Sequence, residues 1–334
     1  MSETLHNSPP NPTGDKVMSL SDAVTRFVSP GAHISIGGFT VSRNPMSAVH
    51  EIIRQGITDL HVYAHSNGQG LDELMGAGCV ARAEIAYSGN ERFAPTGFCF
   101  KRKVMDGSLK VEDYSNFQMA LRFMAGAMGV PFLPTYASLG TSIIDQWGFS
   151  SEMRQDHSRI SDKKLAVIQN PFAPDQAPED IVLVPAARPE VTIIHAQSAD
   201  TQGTVRMDGL TYADVDQAKA ARHVIVTCET LVEKGALNDQ PGLNQLPPFC
   251  VDAVVHSPWG AYPTACFGRY DYDPAYFEAY RTWAASDEAF QNHIREMIQG
   301  HDDHAAMAQA FCGERINQLT ADPHKGYATQ MERN

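Results

Sequence analysis

Short apolar runs alternate with stretches of helical periodicity along this chain. Ser19 stands three residues before Asp22 and opens a predicted helix with Ala23, Val24, Phe27 and Val28 along one side. Ser29-Pro30-Gly31 ends it. Residues 33–36 read as a strand running straight into Gly37-Gly38-Phe39. Pro45, whose fixed φ suits a first helical turn, opens a helix over 46–55. Residues 60–64 read as a second strand, ending in the polar, glycine-rich Ser66-Asn67-Gly68-Gln69-Gly70. Further strands are predicted at 84–87, 181–184, 191–195 and 223–227, and a helix at 117–128.

This alternation predicts an α/β fold, a mainly parallel sheet flanked by helices on both faces. The tail turns helical from about residue 273, with helices at 276–285, 288–298 and 304–318. Residues 154–180, containing Pro171, Pro174 and Pro178, break the rhythm and read as a surface excursion, as do residues 238–248. Residues 1–16 are polar, carry Pro9, Pro10 and Pro12, and read as a disordered leader before one α/β domain over 17–330. In parallel sheets, sites form at the loops after the carboxyl ends of strands. That rule selects the loops after Ile36, Ala64 and Tyr87.

Composition narrows the chemistry. With 39 acidic and 26 basic residues the net charge is -13, which excludes a general nucleic-acid binder. No apolar run reaches the roughly 20 residues needed to span a bilayer, and no signal-peptide pattern precedes the first helix. The six cysteines are scattered without a C-x-x-C pair and read as reduced, mostly buried thiols of a cytoplasmic protein. No metal-ligand set stands out, since His301-Asp302-Asp303-His304 reads as solvated capping residues of a terminal helix. Lys101-Arg102-Lys103 reads as a solvated charge run and His195 as a satisfied core histidine.

The candidate site residues cluster at the strand ends. Gly37 and Gly38 let backbone amides approach a ligand closely, or simply make a tight turn. The Arg43 fork suits a carboxylate of a dicarboxylic acid, or alternatively a surface or inter-subunit salt bridge. Ser66, Asn67 and Gln69 offer neutral donors and acceptors, or a plain polar turn. Ser138, Gly140, Thr141 and Ser142 form another small-residue loop that either lines the cleft or only turns the chain.

The run from Gly31 to Phe39 resembles the glycine-rich signature of class I CoA-transferases, and Gly37-Gly38-Phe39-Thr40-Val41-Ser42-Arg43-Asn44-Pro45 resembles the glutaconate type in particular. The likeness continues through 51–60, 111–115, 131–134, 194–197, 203–206, 226–229, 251–255 and 270–273, and covers roughly residues 17 to 330. It implies the α subunit of a heteromeric enzyme that moves CoA between an acyl-CoA, acetyl-CoA foremost, and a short dicarboxylic acid such as glutaconate. Coenzyme A thioester is then a substrate, and no permanently bound cofactor is expected. The expected partner is a β subunit in an (αβ)n hetero-oligomer, with neither nucleic acid nor membrane involved.

The resemblance also implies that the nucleophilic glutamate lies in the β subunit, in a Glu-x-Gly type motif absent here. Glu84 and Glu91 neighbour a site loop without sharing that setting. Gly37, Gly38, Phe39, Arg43, Ser66, Asn67, Gln69, Ser138 and Gly140 are the expected substrate- and CoA-binding residues, and Asn116 a supporting amide. Related transferases place a glutamine at the position of Asn116, and a ring-opening hydrolase relative a glutamate. Asparagine keeps the amide on a shorter side chain. The alternatives are a transferase-like decarboxylase or C–C hydrolase of a CoA thioester, and a non-catalytic assembly subunit.

Overall fold

The computed structural model describes residues 14–156 and 160–331. Of the expected leader, residues 1–13 lie outside the described residues. Lys16 is already anchored, its Nζ donating to the carbonyls of Pro248 (2.6 Å) and Val251 (2.7 Å). The strands are β1 (His33–Ile36), β2 (Leu60–Asn67), β3 (Val80–Ser88), β4 (Lys110–Asp113), β5 (Phe132–Thr135), β6 (Ala166–Gln169), β7 (Asp180–Pro185), β8 (Val191–Asp200), β9 (Val205–Arg206), β10 (His223–Val232), β11 (Asn244–Leu246) and β12 (Ala253–His256). The helices are α1 (Leu20–Phe27), α2 (Met46–Arg54), α3 (Gln69–Gly76), α4 (Phe98–Met105), α5 (Asn116–Met128), α6 (Ser151–Asp156), α7 (Asp214–Ala220), α8 (Pro274–Trp283), α9 (Asp287–His293), α10 (His304–Cys312) and α11 (Ile316–Leu319).

Seven strands form a parallel sheet in the order β4-β3-β2-β1-β8-β10-β12, and β9 and β11 extend it antiparallel from the far end of β8. Successive side chains face opposite layers, so each strand feeds two cores. Ile193, Ile225 and Val255 pack with α1, α2, α3 and the C-terminal helices. Ile194, Val226 and Val254 pack the other way, with Ala218 of α7. Both faces are therefore covered, as parallel sheets require.

The strand expected at 181–184 exists as β7 but lies outside the main sheet. It is the middle of a separate antiparallel sheet, β5-β7-β6. A four-residue apolar run reads alike in either setting, because its pattern records burial and not the identity of its partner. Val182 and Val184 are buried against Met119 and Phe123 of α5. The segment 154–180 is likewise more than a surface excursion. It supplies β6 and is moored by buried charge, with Arg154 on Glu112, and the Lys164 Nζ on Asp113 (2.9 Å) and the Gln146 carbonyl (2.8 Å). Segment 238–248 contributes β11, set among three short 3₁₀ turns at 236–239, 241–243 and 248–250.

The C-terminal helices follow the expected tail with two differences: 294–298 form one π-helical turn continuing α9, and the single helix expected over 304–318 is broken at Gly313 (φ +54°) into α10, a 3₁₀ turn over 313–315 and α11. Asp303 caps α10 by accepting from the Ala306 amide (2.8 Å), yet His304 is buried and not solvated. Arg102 and Lys103 pair with Asp287, so two of the three charges in 101–103 dock the tail. All six cysteines are free thiols and five are buried. No helix of the described residues is long and apolar enough to cross a membrane.

Behind the sheet, Arg122 of α5 ion-pairs with Glu84 of β3, which also bonds His61 (2.8 Å), and the guanidinium lies 4.2 Å from the Tyr114 ring centroid. Burial alone would raise the Glu84 carboxyl, but Arg122 and His61 hold it below the usual carboxylate range. A depressed folded pKa stabilises the fold above the unfolded value, and that contribution is lost as pH falls through the folded one. Glu84 thus supports the fold throughout neutral pH, and its contribution fades only in strong acid. Arg122→Ala, which strands a buried carboxylate, is expected to lower stability by about 3–5 kcal/mol in denaturant titrations at neutral pH. Most of that loss should be recovered in Arg122→Ala/Glu84→Gln.

Candidate functional site

The chain leaves β1 through Gly37 and Gly38 in a turn that tolerates no side chain. Gly38 has φ +85°, and a Cβ there would lie 2.6 Å from the Arg43 carbonyl oxygen. A Cβ on Gly37 would lie 2.8 Å from Ile194 Cγ2. The amides of this turn, which the sequence offers to a ligand, bond within the chain. Gly37 N–H donates to Ile193 O (2.9 Å), Phe39 N–H to Ser42 O (2.8 Å) and Thr40 N–H to Ser66 O (2.9 Å). Gly38 N–H donates to Asp214 Oδ1 (2.8 Å). The turn is thus a rigid, side-chain-free wall whose amides already have partners.

Arg43 (φ +49°) is equally committed and almost fully buried. Its Nη2 pairs with Asp214 Oδ2 (2.9 Å) and its Nη1 donates to the Leu210 carbonyl (2.9 Å). The ion pair is buried and lies within the chain, so it is neither the surface nor the inter-subunit salt bridge expected as the alternative to a substrate contact. Phe39 is half-buried and stacks on Tyr212 with centroids 4.9 Å apart.

At the end of β2 the polar residues divide. Ser66 Oγ donates to Asn116 Oδ1 (2.6 Å), joining two predicted site residues across the sheet edge. Asn116 is the exposed first residue of α5, and its Nδ2 has no hydrogen-bond partner among the described residues. It is aimed by the capping box below it, in which Ser115 Oγ accepts from Gln118 N–H and Gln118 Oε1 accepts from Ser115 N–H. Asn67, by contrast, donates to the Gly37 carbonyl (2.8 Å) and accepts from Leu71 N–H (3.0 Å). Gln69 is fully buried between Asn90 and Glu73. Both brace the site from behind and do not face it. His65 borders Phe39 with ring centroids 5.8 Å apart, and burial lowers its pKa.

Ser138 and Gly140 stand apart. They follow β5 of the small sheet, and the Ser138 carbonyl takes bonds from Thr141 N–H (3.1 Å) and Oγ1 (2.8 Å) within its own turn. Of the nearby carboxylates, Glu84 is held by Arg122 and His61, and Glu91 accepts from the Thr40 hydroxyl (2.6 Å). His195 is the satisfied core residue expected, bonded to Thr227 Oγ1 (2.8 Å) and Glu229 Oε1 (2.7 Å). Donor atoms of His195, Glu229 and Cys266 lie within 4.8 Å of one another. However, Glu229 already takes bonds from Tyr270 Oη and Trp259 N–H as well as His195, so this is a closed network in which the carboxylate has no free oxygen for a metal. Sequence reasoning missed Asp214. Its only local signal is its place in the first turn of a short helix, and its partners are more than 170 residues away in the chain.

Residues 17–257 match the family model described as coenzyme A transferase. The chain is 38% identical over 316 residues, 95% of its length and 98% of the relative's, to the A subunit of glutaconate CoA-transferase from Acidaminococcus fermentans. It is 32% identical, covering 86% and 95%, to the A subunit of 3-oxoadipate CoA-transferase from Pseudomonas knackmussii. The crystal structure of glutaconate coenzyme A-transferase from Acidaminococcus fermentans superposes with a TM-score of 0.90 at 38% identity, over 94% of this chain and 98% of that one. Sequence, fold and the glycine turn at the strand edge agree: the chain belongs to the coenzyme A transferase family.

Proposed function

We propose that this chain is the A-type half of a two-subunit CoA-transferase that moves CoA from an acyl-CoA to a short dicarboxylic acid such as glutaconate. One observation carries the division of labour. The carboxylates considered above are engaged within the chain, Asp214 by Gly38 and Arg43, Glu84 by Arg122 and His61, and Glu91 by Thr40. Transfer needs an uncommitted carboxylate, which the partner subunit's glutamate supplies.

The steps balance without a further reagent. The partner's carboxylate attacks the thioester carbonyl, forming a mixed anhydride and releasing CoA thiolate. The thiolate attacks the glutamyl carbonyl, giving an enzyme thioester and freeing the first acid. The second acid then attacks that thioester, and the returning thiolate cleaves the new anhydride, restoring the glutamate. This is nucleophilic catalysis divided into low-barrier steps. Asn116, held by Ser66 on its oxygen side, presents Nδ2 to the oxygen that gains charge, while the bare glycine wall lets the partner's loop come close. The two kinds of chain assemble as (αβ)n, and reliance on CoA thioesters fits a cytoplasmic enzyme.

With the partner present, labelled acetate and glutaconyl-CoA should yield labelled acetyl-CoA. Release of CO2 or free acid with no label in any thioester would overturn the reading in favour of decarboxylation or hydrolysis. Borohydride reduction after CoA loading should modify a glutamate of the partner and leave Glu91 intact, as peptide mass spectrometry will tell. Asn116→Ala should lower kcat by about 10²-fold, the scale of one lost transition-state donor. Its co-purification with the partner should be unchanged.

A further inference from the structure

Beneath the site, Glu73 of α3 is fully buried among polar groups that include neither arginine, lysine nor a backbone N–H among the described residues. The other buried carboxylates differ. Glu84 has Arg122, Asp214 has Arg43, Glu112 has Arg154, and Asp72 has the amides of Cys99 and Phe100. Glu73 Oε1 accepts from Gln69 Nε2 (2.7 Å) and Tyr276 Oη (3.0 Å). Its Oε2 meets His50 Nε2 at 2.7 Å, His50 Nδ1 meets His304 Nδ1 at 2.9 Å, and His304 Nε2 meets the Trp259 carbonyl at 3.1 Å.

Hydrogen-bond direction fixes the proton count. A carbonyl only accepts, so His304 Nε2 carries a hydrogen. The His50–His304 contact needs a second hydrogen, and the Glu73–His50 contact a third. Two neutral imidazoles and a carboxylate hold only two. The trio therefore holds one more proton and is electrically neutral as a group. Its lowest-cost location in a dry interior leaves no ion at all, with the proton on the acid and both imidazoles neutral.

We propose that Glu73 is a buried carboxylic acid, protonated on Oε2, which acts as a positioning residue for the active-site edge through Gln69 and Asn90. Gln69 Oε1 accepts from Asn90 Nδ2 (2.8 Å), and Asn90 abuts Gly68, where a Cβ would lie 2.2 Å from its Oδ1 and 2.5 Å from the Thr40 carbonyl. Glu73 thus sets Gln69, Gln69 sets Asn90, and Asn90 with Thr40 closes the junction of the three loops after β1, β2 and β3. Burial acts in the same direction, raising the Glu73 carboxyl and lowering His50 to about 3. His293 also abuts this cluster, and it too is kept neutral, lowered to about 4 by burial.

The protonation state is independent of the proposed transfer reaction, and the positioning role rests on it. Two measurements keep them apart. The infrared difference between the full-length chain and Glu73→Gln at neutral pH should contain the carbonyl band of a protonated carboxyl. Its absence would overturn the proposal whatever the enzyme transfers. In the assembled enzyme, Glu73→Gln, whose amide donates to His50 and accepts from Gln69 and Tyr276, should retain wild-type kcat and melting temperature. Glu73→Ala should lower kcat by about 10²-fold through misplacement of the loops, with KM for the acid nearly unchanged. A Gln variant as damaged as the Ala variant would mean that Glu73 works as an anion, and the proposal would fail.

Discussion

Asp214 puts one carboxylate oxygen on the Gly38 amide and the other on the Arg43 guanidinium. Two residues with positive φ, Gly38 and Arg43, are thereby clamped by a single side chain entering from α7 on the opposite core. Positive φ in a residue other than glycine costs energy that surrounding bonds must offset. Here the offset comes from a buried ion pair with every terminal atom in use, save for the Arg43 Nε. The glycine wall and the emergence of Phe39 beside Tyr212 rest on where this carboxylate sits. The protein therefore commits to its own architecture the charge that the sequence offers to a substrate.

That reallocation recurs across the molecule. Like Arg43, the buried charges Glu84, Arg122, Arg154 and Lys164 are all paired inside. Buried pairs of this sort are weak sources of net stability but severe in their demand that both partners be present. Their effect is geometric. They hold strands and helices in one register, and the sheet edge after β2 is left with neutral groups, Ser66 and Asn116.

How much could be read from the chain depended on the range of the interactions. Residues 33–36 form a strand with the bounds expected, because the burial pattern and the Gly37-Gly38 stop are local. The helix expected over 117–128 forms over 116–128, one residue earlier, because the capping box of Ser115 and Gln118 sets its start within four residues. Partner choice was not legible. Residues 181–184 carry the same apolar run whether they join a parallel or an antiparallel sheet, and Asp214 gives no hint that its ligands lie near residue 40. Asn67 and Gln69 illustrate the same limit at the site, because a polar side chain at a strand end looks alike whether it faces a ligand or a neighbouring backbone. Ser66 and Asn116, by contrast, were singled out separately and meet at 2.6 Å.

The family match ends at residue 257, before the helices of the tail begin. Tyr276 and His304, however, reach back from α8 and α10 to the polar chain under α3, and Tyr280 bonds Asp72 (2.8 Å). The last quarter of the chain is therefore the floor on which the signature loops rest. A chain that shared the sheet but ended differently would have to support those loops by other means, so the tail is as much a part of the loops' geometry as the glycines within them.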